Sequence, residues 1–421
     1  MHIKNFDPYD FSKKDIEGVG IYHKNIPWAP CIHIRMLFSA GAFNDPKNKA
    51  GVAHFLEHMI FDGSEQLPHK KDIEEFGKNY TMGTLNAYTS PFSTNYIAKC
   101  LPENFEKVLN GMSDMIFKPI LRVEDVEHER SVITQEAWGR YKNEKFLKYT
   151  KNYLNNVYNG HSFSRIGRAL GWPETIQNIS QKDVKEFHSK TYCRENLTVV
   201  LVGAVEKKHI EIIKRVIEKI PKGLKVKIIK NTTHKPINNR LEITGEEIGD
   251  PTEQVSLSIE RLGNSLTDKE KATAQHANQL LRDLLHERLR IEHSLCYGVR
   301  TSIDNQIDYY SFGIEVRTSV DKKDVAEKEI WKIISEIKDG KHESRFNTIH
   351  KIRIDWFKSE ERFSDDIAEY ACNVIRKKGK VVTLKSFLND EKNVTYKDVI
   401  NLIKKVFDTK YIYTEIILPS K

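Results

Sequence analysis

Three side chains in the segment AHFLEHMIF, residues 53–61, have types and a spacing that suit metal chemistry. A helix turns by about 100° per residue, so His54, Glu57 and His58 project from one face. Two imidazoles can hold one Zn²⁺ at about 2.0–2.1 Å, and a carboxylate beside them can accept a proton from water. The spacing alone also allows a polar helix face with two solvated histidines, and it leaves both interpretations open.

The other residues of this segment favour a helix with one buried side. Apolar residues recur at the spacing of a helical stripe and lie opposite the His/Glu face: Val52, Phe55, Leu56, Met59 and Ile60. We therefore predict a helix that packs its apolar side into a core and presents the histidines on the other side.

A catalytic zinc site usually has three protein ligands, so a third must come from another segment. Residues 125–140, DVEHERSVITQEAWGR, form a strong helix candidate. Glu129 and Glu136 lie about two helical turns apart, beside Val132 and Ile133, and so share a face. A buried carboxylate is costly unless it is paired or metal-bound. Two exposed glutamates are the alternative, and the residues alone do not exclude it.

The elements that must position these side chains occur in two copies. Near the start of residues 179–204 and of residues 394–420, a Ser or Thr is followed after two residues by Asp-Val. Both segments then continue as an amphipathic helix, a polar turn and an apolar strand-like run. Residues 92–119 and 310–340 share the order strand, turn, helix. Two matches in the same order indicate a tandem duplication of an α/β domain.

The expected fold class is α+β, with two tandem homologous α/β-sandwich-like domains, each a sheet covered by helices. Strand candidates with β-branched and apolar residues are 31–41, 196–203, 254–263, 310–318 and 411–418. Long helical segments separate them.

Residues 221–240 are rich in Pro, Gly, Asn, Thr and Lys and show little periodicity, which is typical of a linker. We therefore predict an N-terminal domain over 1–220 that carries the zinc motif. A homologous C-terminal domain is predicted over 241–421.

The composition is that of an ordinary globular protein and excludes several function classes. Of the 421 residues, 39% are hydrophobic and 30% are charged, and the net charge of +8 is spread along the chain without a nucleic-acid recognition motif. We expect no nucleic-acid partner and no membrane association, since no run of about 18 apolar residues occurs. The five cysteines form no CxxC pair, and the first residues lack an apolar signal region, so we expect a cytoplasmic enzyme with reduced thiols.

Three segments resemble the pitrilysin family of metallopeptidases: GAFNDPKNKAGVAHFLEHMIFDGS (41–64), GTLNAYTSPFSTNY (83–96) and HERSVITQEAWGR (128–140). His-x-x-Glu-His with a downstream Glu is the inverted zinc motif of the inverzincins. The resemblance spans essentially the whole chain and is greatest to the short two-repeat branch that includes the mitochondrial processing peptidase. It implies a zinc endopeptidase whose chain forms half of a clamshell.

The resemblance also implies roles for the residues of the zinc motif. It makes Glu136 the third zinc ligand beside His54 and His58, and Glu57 the general base that activates water. Glu129 becomes a carboxylate behind the ligands that orients a zinc-binding histidine.

The segment LRIEHSLCYGVRT, residues 289–301, resembles the family's Arg-x6-Tyr element. The resemblance implies that Tyr297 donates to the developing oxyanion and that Arg290 holds the substrate backbone. The alternative is a helix-surface arginine and a core tyrosine. Ser294 stands where the family often has glycine.

Residues 83–90, GTLNAYTS, resemble the family segment on which the substrate lies. The resemblance implies that Asn86 contacts the substrate backbone, while Ala87 and Tyr88 form the sheet edge to which an extended peptide adds. A plain turn before a strand is the alternative for this segment.

The expected function is therefore a zinc-dependent endopeptidase that cleaves peptides or extended unfolded segments inside a chamber. Two alternatives stay open, namely a non-catalytic assembly or binding subunit of the same fold and a protease dedicated to one peptide precursor. Because the chain carries both the zinc motif and the Arg/Tyr element, we expect a homodimer, with a heterodimer of related chains as the alternative.

Overall fold

The computed structural model describes residues 6–167, 169–227, 235–359 and 362–420. The chain divides into two units, each built from three separate segments. The first unit contains the described residues of Met1–Arg140, Arg165–Ile229 and Glu361–Leu384. The second unit contains those of Tyr141–Ser164, Lys230–Glu360 and Lys385–Lys421.

A six-stranded mixed sheet forms the centre of the first unit, in the order β1-β2-β6-β3-β5-β4. Its strands are β1 (Ser12–Ile16), β2 (Val19–Asn25), β3 (Ile32–Phe38), β4 (Asn86–Thr89), β5 (Thr94–Cys100) and β6 (Leu197–Gly203). Every residue of β3 is buried, and β6 is a nearly continuous apolar run, as expected of strands covered on both faces. Short β4 lies at one edge of the sheet.

A five-stranded mixed sheet forms the centre of the second unit, in the order β7-β11-β8-β10-β9. Its strands are β7 (Arg240–Thr244), β8 (Val255–Asn264), β9 (Gly298–Asn305), β10 (Tyr309–Thr318) and β11 (Ile412–Leu418). The order repeats that of the first sheet from β2 to β4. In both sheets the last strand in sequence pairs parallel with one neighbour and antiparallel with the other. The predicted duplication and all five strand candidates are confirmed.

Helices cover these sheets. In the first half of the chain they are α1 (Val52–Met59), α2 (Lys70–Tyr80), α3 (Phe105–Phe117), α4 (Val123–Tyr141), α5 (Glu144–Val157), α6 (Phe163–Ile166), α7 (Pro173–Gln177), α8 (Gln181–Thr191) and α9 (Lys207–Ile217). In the second half they are α10 (Gly245–Ile248), α11 (Asp268–Leu285), α12 (Lys323–Lys338), α13 (Glu343–Ser359), α14 (Ser364–Lys378), α15 (Leu384–Lys392) and α16 (Tyr396–Val406). A π-helical turn, His286–Glu292, continues α11.

The repeated helices α8 and α16 begin in the same way. The hydroxyl of Ser180 accepts a hydrogen bond from the Asp183 N–H, and that of Thr395 accepts one from the Asp398 N–H. The capping pattern read from the sequence therefore marks a true helix start in both copies.

The two halves of the sequence exchange one helix each. Helix α14, from the second half, belongs to the first unit, where Ile367, Ala371 and Ile375 are buried in a cluster with residues of β2 and β6. Arg35 of β3 donates to Asp365 of α14 at 2.5 Å. Helix α5, from the first half, belongs to the second unit.

Compared with the predicted contiguous domains 1–220 and 241–421, the units thus trade two segments. The apolar stripe of α14 shows that it must be buried but does not specify which sheet it covers. Residues 221–227 of the predicted linker contain no helix or strand, whereas 228–234 lie outside the described residues. Strand β7 begins at Arg240, the last residue of the predicted linker.

No helix among the described residues is long and apolar enough to cross a membrane. All five cysteines are free thiols, and four of them are buried.

Candidate metal centre

Helix α1 is fixed in place at both its apolar side and its N-terminus. All five predicted stripe residues are fully buried: Val52, Phe55, Leu56, Met59 and Ile60. The Asp45 carboxylate accepts hydrogen bonds from the backbone N–H groups of Gly51 (2.6 Å) and Ala53 (3.0 Å). It thereby satisfies donors that a helix start otherwise leaves unpaired. Gly51 adopts φ +100°, which favours glycine.

Helix α4 presents the two predicted glutamates to α1. Ile133, between them, is fully buried, whereas Val132 is exposed, so only one of the two flanking residues anchors the helix. Glu129 is 1% exposed. The Glu136 side chain, two turns later, is half exposed. The face that carries them is the one predicted, but the two carboxylates have different surroundings.

His54, His58 and Glu136 converge. The Glu136 carboxylate lies 3.8 Å from Nε2 of His54 and 3.7 Å from Nε2 of His58. One ligand atom from each of the three residues can be chosen so that all lie within 4.8 Å of one another. Among the described residues, this is the group of histidine, cysteine and carboxylate side chains arranged to hold a metal ion.

The other ring nitrogen of His58 is held by Glu129. Nδ1 of His58 lies 2.9 Å from Glu129 Oε2, and Lys70 of α2 donates to Glu129 Oε1 at 2.7 Å and lies 3.1 Å from Asp62. Burial would raise the pKa of Glu129, but hydrogen bonds from His58 and Lys70 outweigh it and hold this pKa at about 2. An ionised Glu129 fixes the orientation of the imidazole and leaves Nε2 pointing to the metal position.

The proposed base, Glu57, is buried beside the histidines. Oγ1 of Thr89, in β4, donates to Glu57 Oε2 at 2.7 Å. Burial raises the pKa of the Glu57 carboxyl, and the hydrogen bond from Thr89 opposes that shift. One carboxylate oxygen is thus held by the Thr89 hydroxyl.

These residues fit a zinc ion. The donor set of two imidazoles and one carboxylate is the set that catalytic zinc sites use. Burial and the neighbouring His58 lower the pKa of His54 to about 3, which keeps its ring neutral, as a ligand must be. A cavity of about 420 Å³, lined in part by His54, Thr89 and Glu136, leaves room for water and substrate beside the ligands. The donor set and the cavity beside it therefore suit a single zinc ion.

The predicted substrate segment forms the edge strand β4, next to the metal centre. Asn86 is exposed, and its side-chain oxygen accepts from the Ala87 N–H at 2.9 Å. The Tyr88 hydroxyl donates to Glu369 at 3.1 Å and accepts from Asn95 at 3.0 Å. The alternative of a plain turn is wrong for residues 86–89, because they are paired with β5 as a strand.

Arg290 and Tyr297 lie in the second unit. Arg290 is part of the π-helical turn that follows α11, and it is exposed. Tyr297 is 71% exposed, so the alternative of a core tyrosine is wrong. Ser294 adopts φ +49°, the left-handed region that favours glycine.

Sequence reasoning missed three residues of the first unit: Asp45, Lys70 and Thr89. Thr89 stands in the recognised segment 83–96, directly after the predicted edge residues, so its position gave a signal. Asp45 also stands in a recognised segment, 41–64, a few residues before its partners Gly51 and Ala53. Lys70 gave no signal, because its partner Glu129 lies in a segment that only the folded chain brings near.

Comparisons with known proteins agree with this fold and site. A protein-family model described as insulinase (peptidase family M16) matches residues 21–166, and a second family model, described as peptidase M16 inactive domain, matches residues 178–351. The chain belongs to peptidase family M16, as its motifs indicated.

Individual relatives extend this result. The chain is 26% identical over 400 residues to a Rickettsia felis protein named as an uncharacterized zinc protease, covering 93% of each chain. It is 28% identical over 193 residues to the mitochondrial-processing peptidase subunit beta of Saccharomyces cerevisiae, covering 45% of this chain and 40% of that protein. These relationships support a peptidase function in general.

A solved structure shows the same fold. The first half of the periplasmic protease PqqL from Escherichia coli superposes with a TM-score of 0.83 at 17% identity and covers 98% of this chain and 93% of that one. The two-unit α/β architecture is therefore that of M16 proteases.

Proposed function

We propose that the chain is a zinc-dependent endopeptidase that cleaves peptides or extended unfolded segments. The convergence of His54, His58 and Glu136 beside a buried Glu57 carries this proposal. The three ligands would hold Zn²⁺, which supplies Lewis acidity that activates water near neutral pH and polarises the scissile carbonyl.

Glu57 would act as the general base. Its carboxylate would accept a proton from the attacking water and later deliver it to the leaving amine. The Thr89 hydroxyl donates to one oxygen of the Glu57 carboxylate at 2.7 Å. This hydrogen bond fixes the orientation of the whole carboxylate, and with it the direction of the other oxygen. Lys70 stabilises the ionised form of Glu129, and the Glu129 carboxylate keeps His58 in the orientation that a ligand needs.

Tyr297 and Arg290 would also take part in the reaction. Among the described residues no hydrogen-bond partner is recorded for the Tyr297 hydroxyl, and the side chain is exposed. It would donate to the oxyanion, while Arg290 would bind the substrate backbone, as the family resemblance implies.

The edge strand β4 supports an extended peptide as substrate. One edge of β4 pairs with β5, and the opposite edge has no strand neighbour in the described sheet. Asn86, Ala87 and Tyr88 would pair with substrate backbone there, which selects for extended chains and gives little preference for sequence.

A Glu57→Gln variant tests the proposed reaction. We expect it to retain one zinc per chain and to lose hydrolysis of a fluorogenic peptide. Glu124→Gln is the control, because Glu124 is an exposed glutamate in the first turn of α4. Glu57→Gln protein that cleaves as fast as the control would refute the assigned base.

A non-catalytic binding subunit is the second candidate. The model that matches residues 178–351 is described as an inactive domain, which favours this candidate for the second half alone. Zinc content separates the candidates, because purified protein with no zinc and no uptake of added zinc would favour the binding subunit. Dedicated maturation of one peptide precursor is a narrower form of the first proposal.

We further propose that the protein acts as a homodimer, because both the zinc motif and the Arg/Tyr element are present in this chain. Light scattering during turnover tests this, and a fully active monomer would contradict it. A cytoplasmic location stays a prediction.

A further inference from the structure

The cavity beside the zinc ligands contains a positive charge that the reaction described above does not use. Arg140 lies one turn after Glu136 on α4 and lines the same cavity of about 420 Å³ as His54, Thr89 and Glu136. It is an exposed side chain. A cavity of this size accommodates a side chain with its backbone.

The Arg140 guanidinium has no ionic partner among the described residues. No carboxylate of these residues lies within 4.0 Å of it. By contrast, Arg130 on the same helix is paired with Glu127, and Arg122, directly before the helix, is paired with Asp125. Glu136, the one acid among the described residues that line the cavity, is directed toward the two histidines. Zinc binding would occupy that acid and leave the cavity with a net positive charge.

Gly139, the residue before Arg140, adds no side chain to the wall of the cavity. A Cβ atom at Gly139 would meet no atom within 4 Å, and Gly139 also lines the cavity. A planar guanidinium that is exposed and lines a cavity can bind a carboxylate through two parallel hydrogen bonds.

We infer that this cavity is a substrate subsite that binds a carboxylate of the peptide beside the scissile bond through Arg140. The carboxylate comes from an aspartate or glutamate side chain or from a free peptide C-terminus. This inference rests on the proposed function, since the cavity borders the atoms that would perform the cleavage. It makes acidic peptides the preferred class of substrate.

Binding to the Glu57→Gln variant tests the subsite without cleavage. Zinc-loaded variant is titrated with labelled peptides that differ only by Glu against Gln at each position, each with a free or an amidated C-terminus, and fluorescence anisotropy gives Kd. We expect one Glu position, or the free C-terminus, to bind roughly five- to tenfold tighter than its neutral match. The position that responds identifies the source of the carboxylate.

Two further variants assign that preference to Arg140. In the same background, Arg140→Ala should remove it and Arg140→Glu should reverse it in favour of a Lys-containing peptide. Lys182→Glu is the matched control, because it makes the same change of charge at a side chain on α8 that is 85% exposed. Zinc content and melting temperature establish that each variant is folded.

The outcomes separate this inference from the proposed function. Equal binding of all peptides, or a preference that persists in Arg140→Glu, would overturn the subsite. A preference that Lys182→Glu also removes would assign it to general charge and overturn the role of Arg140. If acidic peptides bind as expected but protein with Glu57 intact cleaves none of them, the proposed function fails and the subsite stands.

Discussion

The two units place a histidine cluster at corresponding positions, yet among the residues that the structure describes only the cluster of the first unit is arranged to bind a metal. Helix α1 follows β3 in the first unit as α11 follows β8 in the second, and α4 corresponds to α13. In the second unit Nε2 of His276, on α11, lies 3.1 Å from Nδ1 of His350, on α13. Nδ1 of His276 lies 3.1 Å from the carbonyl oxygen of Ala272. Both ring nitrogens of His276 are thus used within the protein.

The carboxylates differ in the same way. Glu391, beside His276, is 1% exposed and accepts from Arg353 at 2.5 and 3.3 Å. Glu136 in the first unit is half exposed and has the two histidines as its near ionic partners. Similar side chains therefore form a closed, internally paired cluster in one unit and an open ligand set in the other. A metal centre requires donors that the fold brings together and leaves unused.

The largest effect expected from this difference is on zinc content. Glu136→Gln removes an anionic ligand, so we expect zinc per chain to fall from near one to near zero and hydrolysis to fall below detection. His350→Gln makes a change on the corresponding helix of the second unit and should leave the zinc content unchanged. Measuring metal after gel filtration decides between these results, and equal zinc loss in both variants would end the distinction between the units.

The closed cluster should instead appear in the dependence of stability on pH. Burial lowers the pKa of His276 to about 4, with smaller contributions from the charges of Arg353 and His350. The folded state then binds fewer protons than the unfolded state, so stability is present above about pH 6.5 and is lost as the pH falls to about 4. The expected loss from this group is ~3 kcal/mol.

Urea unfolding of metal-free protein between pH 7 and pH 4 measures this loss, since chelation removes the contribution of zinc. A His276→Gln variant is the reference, because it lacks the titrating ring. We expect the stability of the two proteins to converge as the pH falls. Parallel curves over this range would show that His276 is not a buried neutral histidine.

A pair of threonines on corresponding edge strands should separate catalysis from stability. Thr89→Val removes the hydrogen bond to Glu57, so we expect kcat to fall roughly tenfold with KM and zinc content unchanged. Thr301, on β9, donates to the backbone carbonyl of Asn278 at 3.2 Å, and Thr301→Val should leave kcat intact. Thr89→Ser should restore the rate.

An equal loss of kcat in Thr301→Val, or an unchanged kcat in Thr89→Val, would remove the positioning role of Thr89.

The smallest effect concerns the segment that carries Tyr297. Ser294 adopts φ +49°, so Ser294→Gly should relieve strain and stabilise the protein by up to ~1 kcal/mol. Ser344→Gly, at an exposed position in α13, should destabilise it slightly, because glycine weakens a helix. Thermal unfolding measures both, and a destabilised Ser294→Gly would indicate that the serine side chain has a role of its own.

Much of the fold follows from local pattern. The strands alternate or run apolar as their burial requires, and the stripe from Val52 to Ile60 determined which side of α1 is buried. The exchange of α5 and α14 was not predictable. The apolar face of an amphipathic helix shows that the helix packs against something, but it does not show which of the two sheets it covers. Glu129 and Glu136 show the same limit. Their spacing of about two helical turns places both on one face of α4, but it does not show that one carboxylate is buried and the other is exposed.

For the candidate site, the family motif indicated the ligands, but the side chains around them come from folded contacts. Lys70 reaches Glu129 from the start of α2, and Arg140 faces the cavity from the turn after Glu136. Neither has a spacing that distinguishes it from an ordinary surface cation. Thr89 was within the recognised segment, but only the register of β4 shows that it meets Glu57.

Zinc K-edge X-ray absorption on the zinc-loaded protein tests the central claim most directly. The account predicts two imidazole nitrogens and one carboxylate oxygen at about 2.0–2.2 Å, and the same shell in zinc-loaded His350→Gln. Sulfur scattering at about 2.3 Å, or a shell that changes in His350→Gln, would contradict it.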